Sequence, residues 1–294
     1  MTIKKAAVLN DLSGFGKCSL VASLSVLPLL GVQCIPLATA VLTGQTGYPH
    51  YACTDLTDMM PAYIENWKKN NVSFDAIYSG YLTGHQQISH VQTFIKCFRT
   101  PDCFLLVDPV MGDDGKTYDM FSEDLRKGMQ QISRQANLIT PNLTEACLLA
   151  DMSMEEIHEL LNETAKDTDT FLSTCIGIGK KLQTLATYPQ EIVITGIKPT
   201  SAPQKVYNLA LCAAKTKLID SPLLGKSYSG TGDLFASLMC GLRLRGLSTI
   251  DSMEIANQFL QECLADTITT DTPSTDGICY EPHLGKLLCA VKNR

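Results

Sequence analysis

The residues with the most chemistry to offer stand at 228–241, in "YSGTGDLFASLMCG", where Gly230, Thr231 and Gly232 lead straight into Asp233 and an apolar run of helical spacing. A glycine-flanked hydroxyl residue at a helix entrance leaves main-chain N–H groups without intrahelical acceptors, and the helix dipole adds about half a positive charge there. Such a turn suits an anion, above all a phosphate. The carboxylate that follows is open to two interpretations. It either complements the dipole as a first-turn acid, or takes the proton of an attacking hydroxyl while the amides hold a phosphoryl group.

A second group of oxygen donors lies upstream. "DPVMGDDG" puts Asp108 at the end of an apolar run with Asp113 five residues on, and "TPNLTEA" supplies Thr140, Asn142 and Glu145. Asn142 and Glu145, three apart, share one face if a helix begins at Asn142. The same spacing is that of a capping box. Hard oxygen donors at neighbouring strand ends also suit Mg²⁺, which is held by one or two carboxylates, waters and substrate phosphates. "GFGKCS" (14–19) fits neither common glycine pattern: a P-loop would need glycine where Asp11 stands and Ser or Thr where Cys18 stands, and the dinucleotide pattern breaks at Ser19. A glycine turn into the first helix accounts for it, with ligand contact as the alternative. The histidines, at 50, 85, 90, 158 and 283, show no metal spacing.

The elements that must position these groups can be read from the apolar runs. Short runs ending in polar or glycine tips occur at 5–10, 34–42, 74–80, 103–108, 136–141 and 191–196. Between them lie segments of helical length at 18–30, 55–70, 88–98, 122–134 and 172–186. The alternation predicts βαβ units, hence an α/β fold with a mostly parallel sheet and helices on both faces. "KVYNLALC" and "KTKLID" are separated by Ala213 and Ala214 alone, which is too short for a parallel crossover and predicts a late antiparallel hairpin. From 230 to about 270 the chain reads as helical. No linker or repeat divides it, so a single domain over 1–294 is expected. Ligands of such sheets bind beyond the carboxyl ends of the strands. That rule collects Asn10, Asp11, the 43–46 segment, Tyr81, Asp108, the 140–142 segment, Thr195 and the 230–233 turn along one edge.

Composition narrows the partners. The net charge of −6 is made of interspersed acids and bases, which argues against nucleic acid and against a polybasic membrane surface, and for a small molecule. The stretch between Lys17 and Asp55 carries no formal charge, yet Pro28, Gly31, Gln33 and Pro36 interrupt it, so a membrane span of about 20 residues is not expected. Twelve scattered cysteines without a CxxC pair, and no secretory leader, predict reduced thiols in a cytoplasmic protein.

In order and spacing, "AAVLNDLSGFGKCSL", "TGQTGY", "YSGYL", "DPVMGD", "TPNLTEA", "VITG" and "SGTGDLFASL" resemble the pyridoxal/pyridoxamine kinases of the ribokinase-like superfamily over nearly the whole length. The resemblance implies a three-layer αβα sandwich and ATP-dependent phosphorylation of the 5′-hydroxymethyl group of a vitamin B6 vitamer. It puts Asp233 at the catalytic-base position, with Gly230, Thr231 and Gly232 as the anion hole. Asp113, Thr140, Asn142 and Thr195 match positions that face ATP, while Asp108 and Glu145 match positions that organise Mg²⁺, with K⁺ as the candidate monovalent ion. Asp11, Ser13, Thr46 and Tyr81 match positions around the vitamer. A cytoplasmic homodimer is implied.

One position departs from that pattern. Pyridoxal kinases usually carry Ser where this chain has Asp11, and "NDLSGFG" is similar to the D-x-S-G opening of hydroxymethylpyrimidine kinases, the nearest alternative enzyme. A carboxylate there would accept a hydrogen bond from a protonated ring nitrogen or amine, favouring pyridoxamine or pyridoxine over pyridoxal. Two further alternatives are a non-catalytic pyridoxal phosphate binder and a Rossmann oxidoreductase. The intact Asp233 turn weighs against the first, and the missing fingerprint against the second.

Overall fold

The computed structural model describes residues 3–162, 167–225 and 227–292. Its contacts cluster into two compact units, one formed by the residues up to Leu105 together with those from Leu224 onward, the other by Leu106–Leu223.

The first unit opens with β1 (Lys4–Ser13), α1 (Ser19–Leu29) and β2 (Val32–Leu42), a βαβ unit in which Lys4 faces Val32 and the strands run parallel. β3 (Cys53–Asp55) adds antiparallel to β2; after α2 (Met60–Lys69), β4 (Ala76–Ser79) pairs parallel with the other side of β1, and α3 (His85–Phe98) follows. The central run Ala6–Leu9 is fully buried, as expected of a strand covered on both faces and therefore apolar without alternation.

In the second unit, β5 (Phe104–Val107), which begins at its border, leads to a two-rung hairpin, β6 (Gly112–Asp113) and β7 (Lys116–Thr117). Then come α4 (Glu123–Ser133), β8 (Leu138–Ile139), α5 (Leu143–Leu149), α6 (Met154–Asn162), α7 (Thr168–Leu185), β9 (Glu191–Ile197), β10 (Lys205–Leu211) and β11 (Thr216–Pro222). β8 lies between β5 and β9, parallel to both, and β10 and β11 continue the order antiparallel. The chain returns to the first unit as α8 (Thr231–Leu244), α9 (Thr249–Thr269) and α10 (Leu284–Lys292). α8 packs on α1 closely enough that a Cβ on Gly241 would come within 2.4 Å of Leu30 Cδ1, and Ser23 and Ser237 share a hydroxyl hydrogen bond of 2.8 Å there.

The fold is α/β with mostly parallel strands, an antiparallel hairpin, and ten α-helices among the described residues. The two-residue hairpin turn is present, closed by Cys212 N–H donating to Lys215 O at 2.8 Å. One boundary differs from expectation: "DLS" is strand, not loop, because β1 continues to Ser13 through a bulge between Asn10 and Leu12. An extra residue there breaks the alternation of side chains and re-aims those around it. The eleven cysteines whose side chains are described form no disulfide; the side chain of Cys289 lies outside the described residues. No helix of the described residues is long and apolar enough to cross a membrane.

Candidate active site

In the first unit the bulge at the end of β1 brings three acid or amide groups together. Asn10, fully buried, acts as the clamp. Its Oδ1 accepts from the main-chain N–H groups of Asp11 (3.0 Å) and Tyr81 (2.8 Å), while its Nδ2 donates to Asp233 Oδ1 at 3.0 Å. This fixes the β1 tip, the segment after β4 and the α8 entrance to one another. Gly80 is required for it, since a Cβ there would sit 2.5 Å from Asn10 Nδ2.

Asp11 is buried, and Ser13 Oγ donates to its Oδ2 at 2.9 Å. Burial pushes its carboxyl above the usual range against the pull of the Ser19 and Ser13 hydroxyls. Asp233, half-buried, is raised to about 6 by burial first and by the neighbouring charge of Asp11 second, with the Ser19 main chain and the Asn10 amide opposing. An acid placed only to complement a helix dipole would gain nothing from a second carboxylate beside it.

The turn before α8 leaves main-chain N–H groups without helical partners. Gly230 sits at φ 76°, where a Cβ would also stand 2.2 Å from Lys17 O. Leu234 is the first residue to bond back, its N–H donating to Gly230 O at 2.9 Å, so the N–H groups of Thr231, Gly232 and Asp233 have no intrahelical acceptor. Thr231 Oγ1 donates to Tyr228 O at 2.8 Å, which locks the turn. Beside Gly232 nothing lies within 4 Å of where a Cβ would be, leaving that face open to a ligand.

Tyr81 is half-buried, its hydroxyl pushed up to about 12 by burial and by Asp11. Thr46 is exposed on a loop that hangs from the glycine turn, with Phe15 N–H donating to Thr43 O at 3.1 Å and Gln45 N–H to Phe15 O at 2.9 Å.

A strap from the C-terminal region, unanticipated from sequence, completes this unit's site. Gln45 Nε2 donates to Thr275 O at 3.0 Å, Tyr48 Oη to Asp276 Oδ1 at 2.6 Å, and Ser229 N–H to Ser274 O at 2.9 Å. The strap therefore ties the Thr46 loop to the segment that enters the anion turn. "TPSTDG" carries turn residues but nothing that would announce those distant partners.

The second unit gathers the other oxygen donors. Asp108 and Glu145 are both buried. Thr140 Oγ1 donates to Asp108 Oδ1 at 2.8 Å. Glu145 takes part in a complete capping box: its N–H donates to Asn142 Oδ1 at 3.0 Å and its Oε2 accepts from Asn142 N–H at 2.9 Å, while Met111 N–H donates to Oε1 at 3.1 Å. Asn142 Nδ2 donates to Gly112 O at 2.7 Å, and Asn142 bridges to Thr195, whose N–H donates to Pro141 O at 2.9 Å.

The capping interpretation is thus geometrically correct, yet two N–H donors leave further lone pairs on the Glu145 carboxylate. Glu145 is pushed well up by burial and then by the Asp108 and Asp113 charges; Asp113 is raised by burial and by Asp114. Buried like charges of this kind are relieved by a cation. Among the described residues no three ligating side chains form a metal cage. The donor set fits a hydrated Mg²⁺ that shares its shell with phosphate oxygens, not one chelated by protein alone.

Residues 20–275 match a family model described as Phosphomethylpyrimidine kinase. A Bacteroides thetaiotaomicron protein that bears the phosphomethylpyrimidine kinase name, in crystals with pyridoxal, is 36% identical, with a TM-score of 0.88 over 97% of this chain and 96% of that one. Pyridoxal kinase from Lactobacillus plantarum is 27% identical, with a TM-score of 0.85 over 100% and 99% of the two chains. A Schizosaccharomyces pombe protein named as a pyridoxal kinase is 24% identical over 72% of this chain, and the match spans 65% of that relative's own length.

Proposed function

The chain belongs to the phosphomethylpyrimidine kinase family and has the ribokinase-like fold of the pyridoxal kinases, and on that premise we propose that it is an ATP-dependent kinase acting on the 5′-hydroxymethyl group of a vitamin B6 vitamer. The observation that carries the proposal is the Asn10 clamp, which holds Asp233 Oδ1 by a 3.0 Å hydrogen bond at the entrance of α8. A carboxylate with a pKa of about 6 is mostly ionised at neutral pH and still basic enough to accept the acceptor alcohol's proton. The N–H groups of Thr231, Gly232 and Asp233 would hold the oxygens of the phosphoryl group as charge builds on them.

In the second unit, Asp113, Thr140, Asn142 and Thr195 would face the nucleotide phosphates, with K⁺ as a monovalent counter-ion beside Asp113 and Thr140. Asp108 and Glu145 would hold Mg²⁺ through waters. When bound, that ion neutralises charge on phosphate oxygens. Thr140 orients Asp108, and the capping box fixes Glu145. Both units together would act as one catalytic domain in a cytoplasmic homodimer.

Asp11, Ser13, Thr46 and Tyr81 would surround the vitamer. A buried carboxylate whose protein partners are the Ser13 and Ser19 hydroxyls and its own main-chain N–H has capacity for a protonated ring nitrogen or amine, and this favours pyridoxamine or pyridoxine over pyridoxal. The same acid, in "NDLSGFG", supports a second reading, hydroxymethylpyrimidine kinase, whose substrate also carries an amine and a hydroxymethyl group. ADP formation measured across pyridoxal, pyridoxamine, pyridoxine and hydroxymethylpyrimidine separates the two. The highest kcat/KM is expected for a B6 vitamer; a highest value for hydroxymethylpyrimidine reverses the assignment.

A further inference from the structure

Within the second unit the described residues border a cleft of about 140 Å³, lined by Asp113 and Asp114 of the β6–β7 turn, Thr144 of α5, Leu161 of α6, and Gly196 and Lys198 at the end of β9. Against about 30 Å³ for a liquid water, that is room for several waters or one phosphate group. Lys198 is the cation among these lining residues. Its ammonium lies 2.9 and 3.2 Å from the two carboxylate oxygens of Asp114.

The pairing has features that a stabilising surface ion pair would not need. Both partners are solvent-accessible, at 36% and 62% side-chain exposure, and pairs of that kind add little stability. Asp114 nevertheless stands in the left-handed region, φ 46°, followed by Gly115 at φ 75°. The turn that presents it is fastened on both sides: Gly115 N–H donates to Thr144 Oγ1 at 2.9 Å, and Gly115 O meets His158 Nε2 at 2.7 Å. The Asp-Gly hairpin turn thus holds a carboxylate against a lysine at the rim of a cleft. Gly196 beside it, at φ 66°, has nothing within 4 Å of a would-be Cβ, so the backbone there is open to close approach.

We propose that Lys198 is a phosphate-binding residue of the nucleotide site, and that Asp114 is a stand-in carboxylate which a phosphate oxygen displaces from it. This rests on the kinase assignment above. A polyphosphate entering beside Asp113 and Asp114 meets negative charge, and a cation released from its own counter-ion offsets that repulsion.

Calorimetric titration of ADP with Mg²⁺ into the full chain tests the exchange. Lys198→Met, which keeps the aliphatic stem, should weaken ADP at least about tenfold, the scale of a charge-assisted hydrogen bond. Lys198→Arg should stay within about threefold of wild type. Asp114→Asn should tighten binding severalfold, because the competitor has gone. Unfolding midpoints near wild type confirm that each variant is folded. Opposite signs for the two positions support the exchange; Lys198→Met within twofold of wild type, or Asp114→Asn weakening ADP as Lys198→Met does, overturns it. Wild type that binds no ADP overturns the kinase assignment together with it, whereas wild-type binding untouched at Lys198 overturns the exchange alone.

Discussion

Replacing Asp11 by Asn removes one charge and leaves the side chain's shape and its acceptor for Ser13 in place. Asp233 is lifted from 3.8 to about 6, by burial first and Asp11 second. The charge of Asp11 is the second of the two raising causes, opposed by the Ser19 main chain and the Asn10 amide, and its removal should lower the Asp233 carboxyl by on the order of one pH unit, about 1.4 kcal/mol. Cys18, the other titratable neighbour on the α1 side, has its thiol pushed up to about 12 and stays neutral throughout the working range. A carboxylate that must be ionised to act loses activity as pH falls through its pKa, so the wild-type acid limb of kcat/KM should lie near pH 6. In Asp11→Asn the limb should move down, by up to about one unit, on the same substrate. A limb that stays in place, or moves up, refutes the coupling of the two acids.

Gly230→Ala should lower the unfolding midpoint and abolish turnover. The left-handed backbone alone costs about 1–2 kcal/mol, and the added Cβ would stand 2.2 Å from Lys17 O; a midpoint equal to wild type would show that the turn relaxes freely. Asn142→Ala should cost about 1 kcal/mol through loss of the α5 cap, and more because Gly112 O loses its donor, as read by the denaturant midpoint. If Asp11 receives a protonated nitrogen of the vitamer, Asp11→Ser should shift specificity constants toward pyridoxal; identical preferences in the two proteins would discard that role.

The positions of many candidate-site residues were legible in the sequence because those residues sit at strand tips, and the apolar runs that precede those tips mark them. The Asn142–Glu145 spacing foretold a capping box, and the two alanines, Ala213 and Ala214, between the runs that become β10 and β11 foretold a hairpin. What was hidden had physical causes. Asp11 and Ser13 read as loop because a bulged strand end does not keep the period-two pattern. β3 and the β6–β7 hairpin are two or three residues long, below the length at which periodicity exists. The strap at Thr275 and Asp276 reaches partners 230 and 228 residues away, and no local pattern encodes such contacts.

The central claim is that Asp233 takes the alcohol's proton, and turnover of Asp233→Ala tests it most directly when measured beside ADP affinity in the same preparation. ADP formation with the preferred vitamer should fall by about 10² to 10⁴, with ADP binding within a fewfold of wild type. Turnover that survives the substitution would contradict the account.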